Sequence, residues 1–250
     1  MGYWLYIIAG ILFIPAAIYG ASMQSQVNST FKSFSKMLTQ NKQSAENVAK
    51  LILKNAGIND VQVVQISGHL SDNYNPKTKV LSLSNSTYDS TSVAAIGVAA
   101  HEAGHAIQHY EGYKPAIIRK KIVPFVNFAS RLSLPLLIIG IIVDIFTTVS
   151  FFVGGALLNI GEVLIILSVV FYFSSTLFAI ITLRVEKDAS KRAMSILESS
   201  GLLINEELPA ARKVLTAAEK TYVASLIISA LYFLRFLGRV LMAVSSYKRD

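Results

Sequence analysis

The chain has 250 residues, 53% of them hydrophobic and only 15% charged, with a mean hydropathy of +0.51, a composition that excludes an ordinary soluble domain. It has no cysteine, which excludes disulfides and thiolate metal sites, so a bound transition metal must rely on imidazole and carboxylate. The net charge of +8, with a pI near 9.6, points to the anionic face of a membrane and away from nucleic acid, because the apolar residues fall in long uninterrupted runs.

Residues 3–21 are the first such run, with tyrosines and Trp4 near its start, where interfacial aromatics sit. They read as a first span. A cleaved signal peptide is the alternative, but no Lys or Arg precedes the run and its length suits a span.

Residues 22–131 are polar and basic, and make the first water-facing segment. Phe31, Phe34, Leu38, Ala45, Val48 and Ile52 recur at helical spacing and predict an amphipathic helix that stops near Gly57. Val61–Ile66 reads as a short strand, Asp72-Asn73-Tyr74-Asn75-Pro76 as a turn, and Lys79–Ser84 as a second, alternating strand; together they predict a hairpin or a solitary strand pair. Ser90-Thr91-Ser92 supplies capping oxygens for a helix that starts near Val93 and runs through His101 and His105.

Pro115 and Pro124 punctuate the stretch that follows, and Lys114, Arg119, Lys120, Lys121 and Arg131 make it basic. A second span is expected at 132–146, with Pro135 and Asp144 blurring its limits, a third at 155–183 and a fourth at 222–244. Residues 184–221 are polar, with Gly201 dividing two helical stretches and Asn205 placed to cap the second.

Four crossings put 22–131 and 184–221 on one side, and the termini with the Thr147–Ala156 turn on the other. Of the 23 Lys and Arg residues, 19 fall in those two segments; Arg235 and Arg239 lie in the fourth span, and only Lys248 and Arg249 lie opposite. The excess of positive charge places the polar segments in the cytoplasm.

His101-Glu102-Ala103-Gly104-His105 carries the chemistry. Residues four apart on a helix share a face, so His101 and His105 present two imidazoles to one zinc ion, and Glu102 beside them can serve as the general base of peptide hydrolysis. A catalytic zinc needs a third protein ligand. His109 and Glu111 lie too far along the same helix, and His109 reads as a polar residue near the site, a plain surface residue being favoured over one that supports a ligand. Glu186, where the third span emerges, is the expected third ligand, with an ordinary helix-end carboxylate as the alternative. Asp188 could orient a ligand histidine or pair with Arg192 one turn on, the second being the favoured reading. Tyr74, His69 and Arg192 are candidates to stabilise the oxyanion.

Val98-Ala99-Ala100-His101-Glu102-Ala103-Gly104-His105-Ala106-Ile107-Gln108-His109 resembles the YugP-like neutral zinc metallopeptidases of bacterial membranes. So do Asp72–Pro76, Leu81–Ser84, Ser92–Ile96, Glu186 with Asp188–Ser190, Arg192-Ala193 and Thr221–Ala224, in family order over most of the chain. The resemblance implies a membrane-integral metallopeptidase with His101, His105 and Glu186 on zinc. A looser likeness joins the HtpX-like and prenyl-protein proteases, which place Asp four residues after the glutamate; here that position is Ser190, and no role is carried over to it. The family pattern also has an aromatic where this chain has Lys187 and a histidine where it has Asn73.

The expected molecule is a single domain over 1–250: a mainly α integral membrane protein with about four transmembrane helices and a small α+β zincin-like cytoplasmic portion. It is expected to be a gluzincin-type endopeptidase of the bacterial inner membrane with one catalytic zinc ion. Its expected partners are a protein or peptide substrate, held extended along Val80–Leu83, and the lipid bilayer, with no nucleic acid. The alternatives are a zinc-binding membrane scaffold or assembly protein that cleaves nothing, and a membrane transporter in which the motif is accidental.

Overall fold

The computed structural model describes residues 2–146, 150–153 and 156–247. Of the expected Thr147–Ala156 turn, 147–149 and 154–155 lie outside the described residues, as do Lys248 and Arg249. The molecule is mainly helical, in the order α1 (Gly2–Phe34), α2 (Ala45–Asn55), β1 (Gln62–Ile66), β2 (Asn73–Asn75), β3 (Val80–Ser84), α3 (Val93–Tyr110), α4 (Lys114–Phe146), β4 (Ser150–Val153), β5 (Ala156–Asn159), α5 (Ile160–Ser199) and α6 (Glu207–Tyr247). Among the described residues, α1, α4, α5 and α6 are long and apolar enough to cross a membrane.

The chain forms two compact units. The apolar unit comprises Met1–Gly20, Arg119–Ile181 and Ala224–Asp250. Its helices expose large side chains, among them Ile11, Ile14, Phe128, Ile139 and Val170, as helices with lipid for solvent do. Glycine lets them pack closely: a Cβ at Gly140 of α4 would fall 2.9 Å from the Ile165 side chain of α5. α4 starts at Lys114, well before the apolar run at 132, and carries Pro124 and Pro135 inside it. Proline is tolerated inside membrane-spanning helices, where neighbouring helices and side chains can satisfy the backbone groups it frees. β4 and β5 pair antiparallel, so α5 starts only at Ile160.

The polar unit, Ala21–Ile118 with Thr182–Val223, holds the sheet and the histidine helix. α2 buries Ala45, Val48, Ala49, Ile52 and Leu53 on one face, and Ser44 caps it by accepting the Asn47 N–H. The continuous helix expected across Phe31–Ile52 is broken between Phe34 and Ala45, and Leu38 is exposed. Long-range hydrogen bonds win there. Thr39 N–H donates to Thr91 O at 2.9 Å, Val93 N–H to Met37 O at 2.8 Å, and Asn41 Nδ2 to Leu202 O at 2.6 Å.

The three strands run in the order β1-β3-β2, with β1 parallel and β2 antiparallel to β3. The expected hairpin of Val61–Ile66 with Lys79–Ser84 is therefore a parallel pair, and the expected turn at Asp72–Pro76 contains strand β2. Two side chains explain the shift. The Asp72 carboxylate takes both the Ser84 N–H, at 2.7 Å, and the Ser84 hydroxyl, at 3.0 Å, pinning this segment against β3. The true turn follows β2: Asn75 Oδ1 accepts the Lys77 and Thr78 N–H groups, and Lys79 takes a left-handed φ of 55°.

α3 starts where its cap predicts, with Ser92 Oγ accepting the Ala95 N–H. Its many alanines let neighbours approach on several sides, and Ile96 is fully buried in a core shared with α2, the sheet, Leu197 of α5 and Leu215 of α6. Gly201 divides α5 from α6 at a φ of 64°. Asn205, expected as a cap, instead takes a φ of 47°, and the buried Glu207 carboxylate does the capping, accepting the Ile204 N–H at 2.9 Å and the Gln40 N–H at 2.8 Å.

Ile96→Ala should cost about 2–5 kcal/mol, because its cavity cannot collapse against neighbours on four elements. The purified protein should melt several degrees lower in detergent, and an unchanged transition would show that this core does not limit stability.

Candidate metal centre

His101, Glu102 and His105 project from the middle of α3, and Glu186 from the polar end of α5. The structure brings His101, His105 and Glu186 together. His101 Nε2 lies 3.2 Å and His105 Nε2 3.4 Å from Glu186 Oε2, and the three donor atoms all fall within 4.8 Å of one another. Both imidazoles are partly exposed and Glu186 is only 3% exposed, so its carboxylate depends on these partners for compensation.

A glycine permits the meeting. A Cβ on Gly104 would lie 2.8 Å from the Ala189 carbonyl oxygen, so α3 and α5 touch backbone to backbone one residue before His105 and three after Glu186. Any larger residue would lever the two helices apart.

The back of each imidazole is held as well. Ser190 Oγ lies 3.1 Å from His101 Nδ1. Gln108, fully buried one turn after Gly104, donates from Nε2 to Val185 O at 2.9 Å and to Asp188 Oδ2 at 2.7 Å. With both amide hydrogens engaged, its Oε1 must accept, and it lies 3.0 Å from His105 Nδ1. That fixes the tautomer: neutral His105 keeps its proton on Nδ1 and turns a bare Nε2 lone pair toward Glu186. Two acceptors facing each other call for a cation between them, and a pair of imidazoles with one carboxylate is a zinc donor set.

Burial raises the Glu102 carboxyl above its ordinary pKa, against the pull of His105 and His101, as suits a group that takes up a proton. Burial lowers the His105 pKa, but hydrogen bonding to Glu186 and the charges of Glu102 and Glu186 outweigh it and leave the value raised, so that without an ion a proton on Nε2 competes for the place a cation would take.

Other expected residues lie elsewhere. His109, read as a surface residue, is half-buried with Nδ1 3.0 Å from the Tyr74 hydroxyl; it sits one turn past His105, where the helix faces the sheet. Asp188 does pair with Arg192, at 2.6 Å, yet the same oxygen also anchors Gln108, so it reaches His105 through an intermediary. Glu111 takes the other end of Arg192 at 2.6 Å. Of the oxyanion candidates, Arg192 is held by those two carboxylates, His69 packs edge-on against Phe31, and Tyr74 bonds His109. Lys187 turns to Glu219, 3.3 Å away. Val80–Leu83 cannot receive an extended substrate: β3 is the central strand, with β1 and β2 on its two edges. The open edge nearest α3 belongs to β2.

Sequence reasoning missed Gln108 and Ser190. The phase of Gln108, three residues after His105, was the available signal for the first; only the folded chain shows the second.

A family model described as "Putative neutral zinc metallopeptidase" matches residues 9–241. The curated "Putative membrane protease YugP" of Bacillus subtilis (strain 168) is 39% identical over 227 residues, which cover 90% of this chain and 94% of that protein. No solved structure matches.

Gln108→Leu keeps the volume and removes the acceptor behind His105. Zinc affinity should fall roughly 10–100-fold, measured by competition with a chromogenic chelator; unchanged affinity would show that Gln108 does not orient the ligand.

Proposed function

Because this chain belongs to the neutral zinc metallopeptidase family, we propose that it is a membrane-embedded endopeptidase that cleaves peptide bonds at the membrane–cytoplasm boundary. One zinc ion is held by His101, His105 and Glu186, in a gluzincin arrangement with Glu102 as catalytic base. The observation that carries this reading is the convergence of the three donor atoms within 4.8 Å beside a buried carboxylate whose proton affinity is raised.

Zinc, when bound, supplies a Lewis acid for the scissile carbonyl and lowers the pKa of water to about 7. The chain's own residues do the rest. Glu102 accepts the proton of the attacking water on its carboxylate and returns it to the nitrogen of the leaving amine. Gln108 keeps the His105 proton on Nδ1, so that Nε2 stays available as a ligand. Ser190 steadies His101 at its far nitrogen. An extended peptide pairs with the edge strand β2, where the alternation of the β2–β3 ladder turns the Tyr74 N–H and C=O outward. Backbone pairing of this kind reads little side-chain sequence, which suits a protease with varied protein substrates.

The charge distribution supports the cytoplasmic side: 19 of 23 Lys and Arg residues occupy the polar segments 22–131 and 184–221. The bacterial inner (plasma) membrane is the compartment that fits this bias together with the Bacillus relative.

Glu102→Gln should abolish cleavage of an unfolded membrane substrate and leave one zinc per chain, whereas His105→Ala should lose the zinc. Full activity in Glu102→Gln would remove that residue from its role; a metal-loaded natural protein that cleaves nothing under any condition would favour the scaffold reading.

The chain lacks cysteine, so Lys54→Cys, at an exposed position of the polar unit, introduces a single label site. A membrane-impermeant maleimide should leave it unmodified in intact cells and modify it after lysis. Labelling of intact cells would put the metal centre outside.

A further inference from the structure

Arg235 and Arg239 lie one helical turn apart within the apolar stretch of α6, where a guanidinium is costly unless something compensates it. Both stack on a single ring. Their Cζ atoms lie 4.8 Å and 5.5 Å from the centroid of Tyr6, and their Nη2 atoms donate to its hydroxyl at 3.0 Å and 3.4 Å.

The arrangement is held by backbone contact within the apolar unit. A Cβ on Gly238 would fall 2.7 Å from Tyr6 N, and one on Gly2 would fall 2.8 Å from Gly238 O, so glycine on both helices lets α1 and α6 close together. The Arg235 guanidinium packs beside Gly10, 3.7 Å from where a Cβ would be. Tyr6 is thereby fixed between the two arginines.

One phenolic oxygen cannot satisfy two guanidiniums, each with five N–H donors. Among the described residues neither arginine forms an ion pair with a carboxylate. Depth supplies the missing anion. Tyr3 and Trp4, at the same end of α1, are 57% and 66% exposed and have the character of an interfacial aromatic belt; Tyr6 lies less than one turn further along. Arg239 therefore lies just inside that belt, exposed and within a long side chain's reach of lipid phosphates, with Arg235 one turn deeper beside Gly10.

We propose that Tyr6, Arg235 and Arg239 form a binding site for the phosphate of an acidic phospholipid in the leaflet at which α1 begins. The stacked ring holds both guanidinium forks in place, so that their remaining donors converge on one tetrahedral anion. Two positive charges select a headgroup with a net negative charge, because a zwitterionic lipid brings its own ammonium to the same place. The site also explains why these two arginines depart from the distribution of the other basic residues: their charge is neutralised by a ligand, and is not exposed to the apolar interior.

Native mass spectrometry of the full-length protein, titrated with phosphatidylglycerol or phosphatidylcholine of the same acyl chains, tests this. The natural chain should bind phosphatidylglycerol several-fold more tightly, and the pair Arg235→Gln with Arg239→Gln should weaken that binding about tenfold and abolish the preference. The pair Arg235→Lys with Arg239→Lys should keep part of it, since charge remains without the fork. If the Gln pair does not fold, Arg239→Gln alone, at an exposed position, should lower the preference in the same direction. Equal binding of both lipids by the natural chain, an unchanged preference in the folded Gln variants, or displacement of the lipid by excess inorganic phosphate would overturn the proposal, the last showing a free-phosphate site.

Discussion

The candidate centre depends on one contact, the approach of α3 to α5 at Gly104 and Ala189. Helix axes ordinarily stay 8–10 Å apart because side chains hold them off. With no side chain on Gly104, and with alanines along much of α3, α5 comes close enough for the short Glu186 carboxylate to reach both imidazoles. The same closeness puts Ser190 against His101 and the Val185 carbonyl over Gln108. One missing Cβ therefore positions the third donor and two of the groups that steer the other two.

Around that contact runs a connected polar network, His105 to Gln108 to Asp188 to Arg192 to Glu111. In a low-dielectric interior such a chain stabilises only when every member is satisfied, and a single unpaired member costs more than an apolar replacement would. Here none of the network's buried side-chain atoms is left without a partner, and the network ends at the surface in Arg192 and Glu111. Its effect is directional: it holds a proton on one nitrogen of His105 and so decides which nitrogen faces Glu186. On the other imidazole the partner is neutral as well, the Ser190 hydroxyl lying 3.1 Å from His101 Nδ1.

The apolar unit uses the same device for another end. Gly140 on α4 and the pair Gly2 and Gly238 on α1 and α6 bring backbones together, because in lipid there is no hydrophobic drive between helices and close van der Waals contact must supply the attraction. Where that closeness coincides with Tyr6, it also fixes two arginines that an apolar helix would otherwise leave without compensation.

The sequence by itself determined whatever depends on local period and composition. Four apolar runs become four long helices, since a run of that length can satisfy its backbone in lipid only as a helix. Ser92 starts α3, and the four-residue interval of His101 and His105 fixes their common face before any tertiary contact exists. Glu186 was legible as a candidate from its place at the end of an apolar run. Tertiary structure decided what depends on partners distant in sequence. The break at residues 35–44 comes from hydrogen bonds of the Thr39 backbone to Thr91 and of the Asn41 side chain to Leu202, against a helical pattern that local spacing supports. The order β1-β3-β2 comes from Asp72 gripping Ser84, twelve residues on. The roles of Gln108 and Ser190 exist only because α5 lies against α3. A hydrogen bond between residues some eighty positions apart leaves no periodic trace in the chain, and only folding makes the two neighbours.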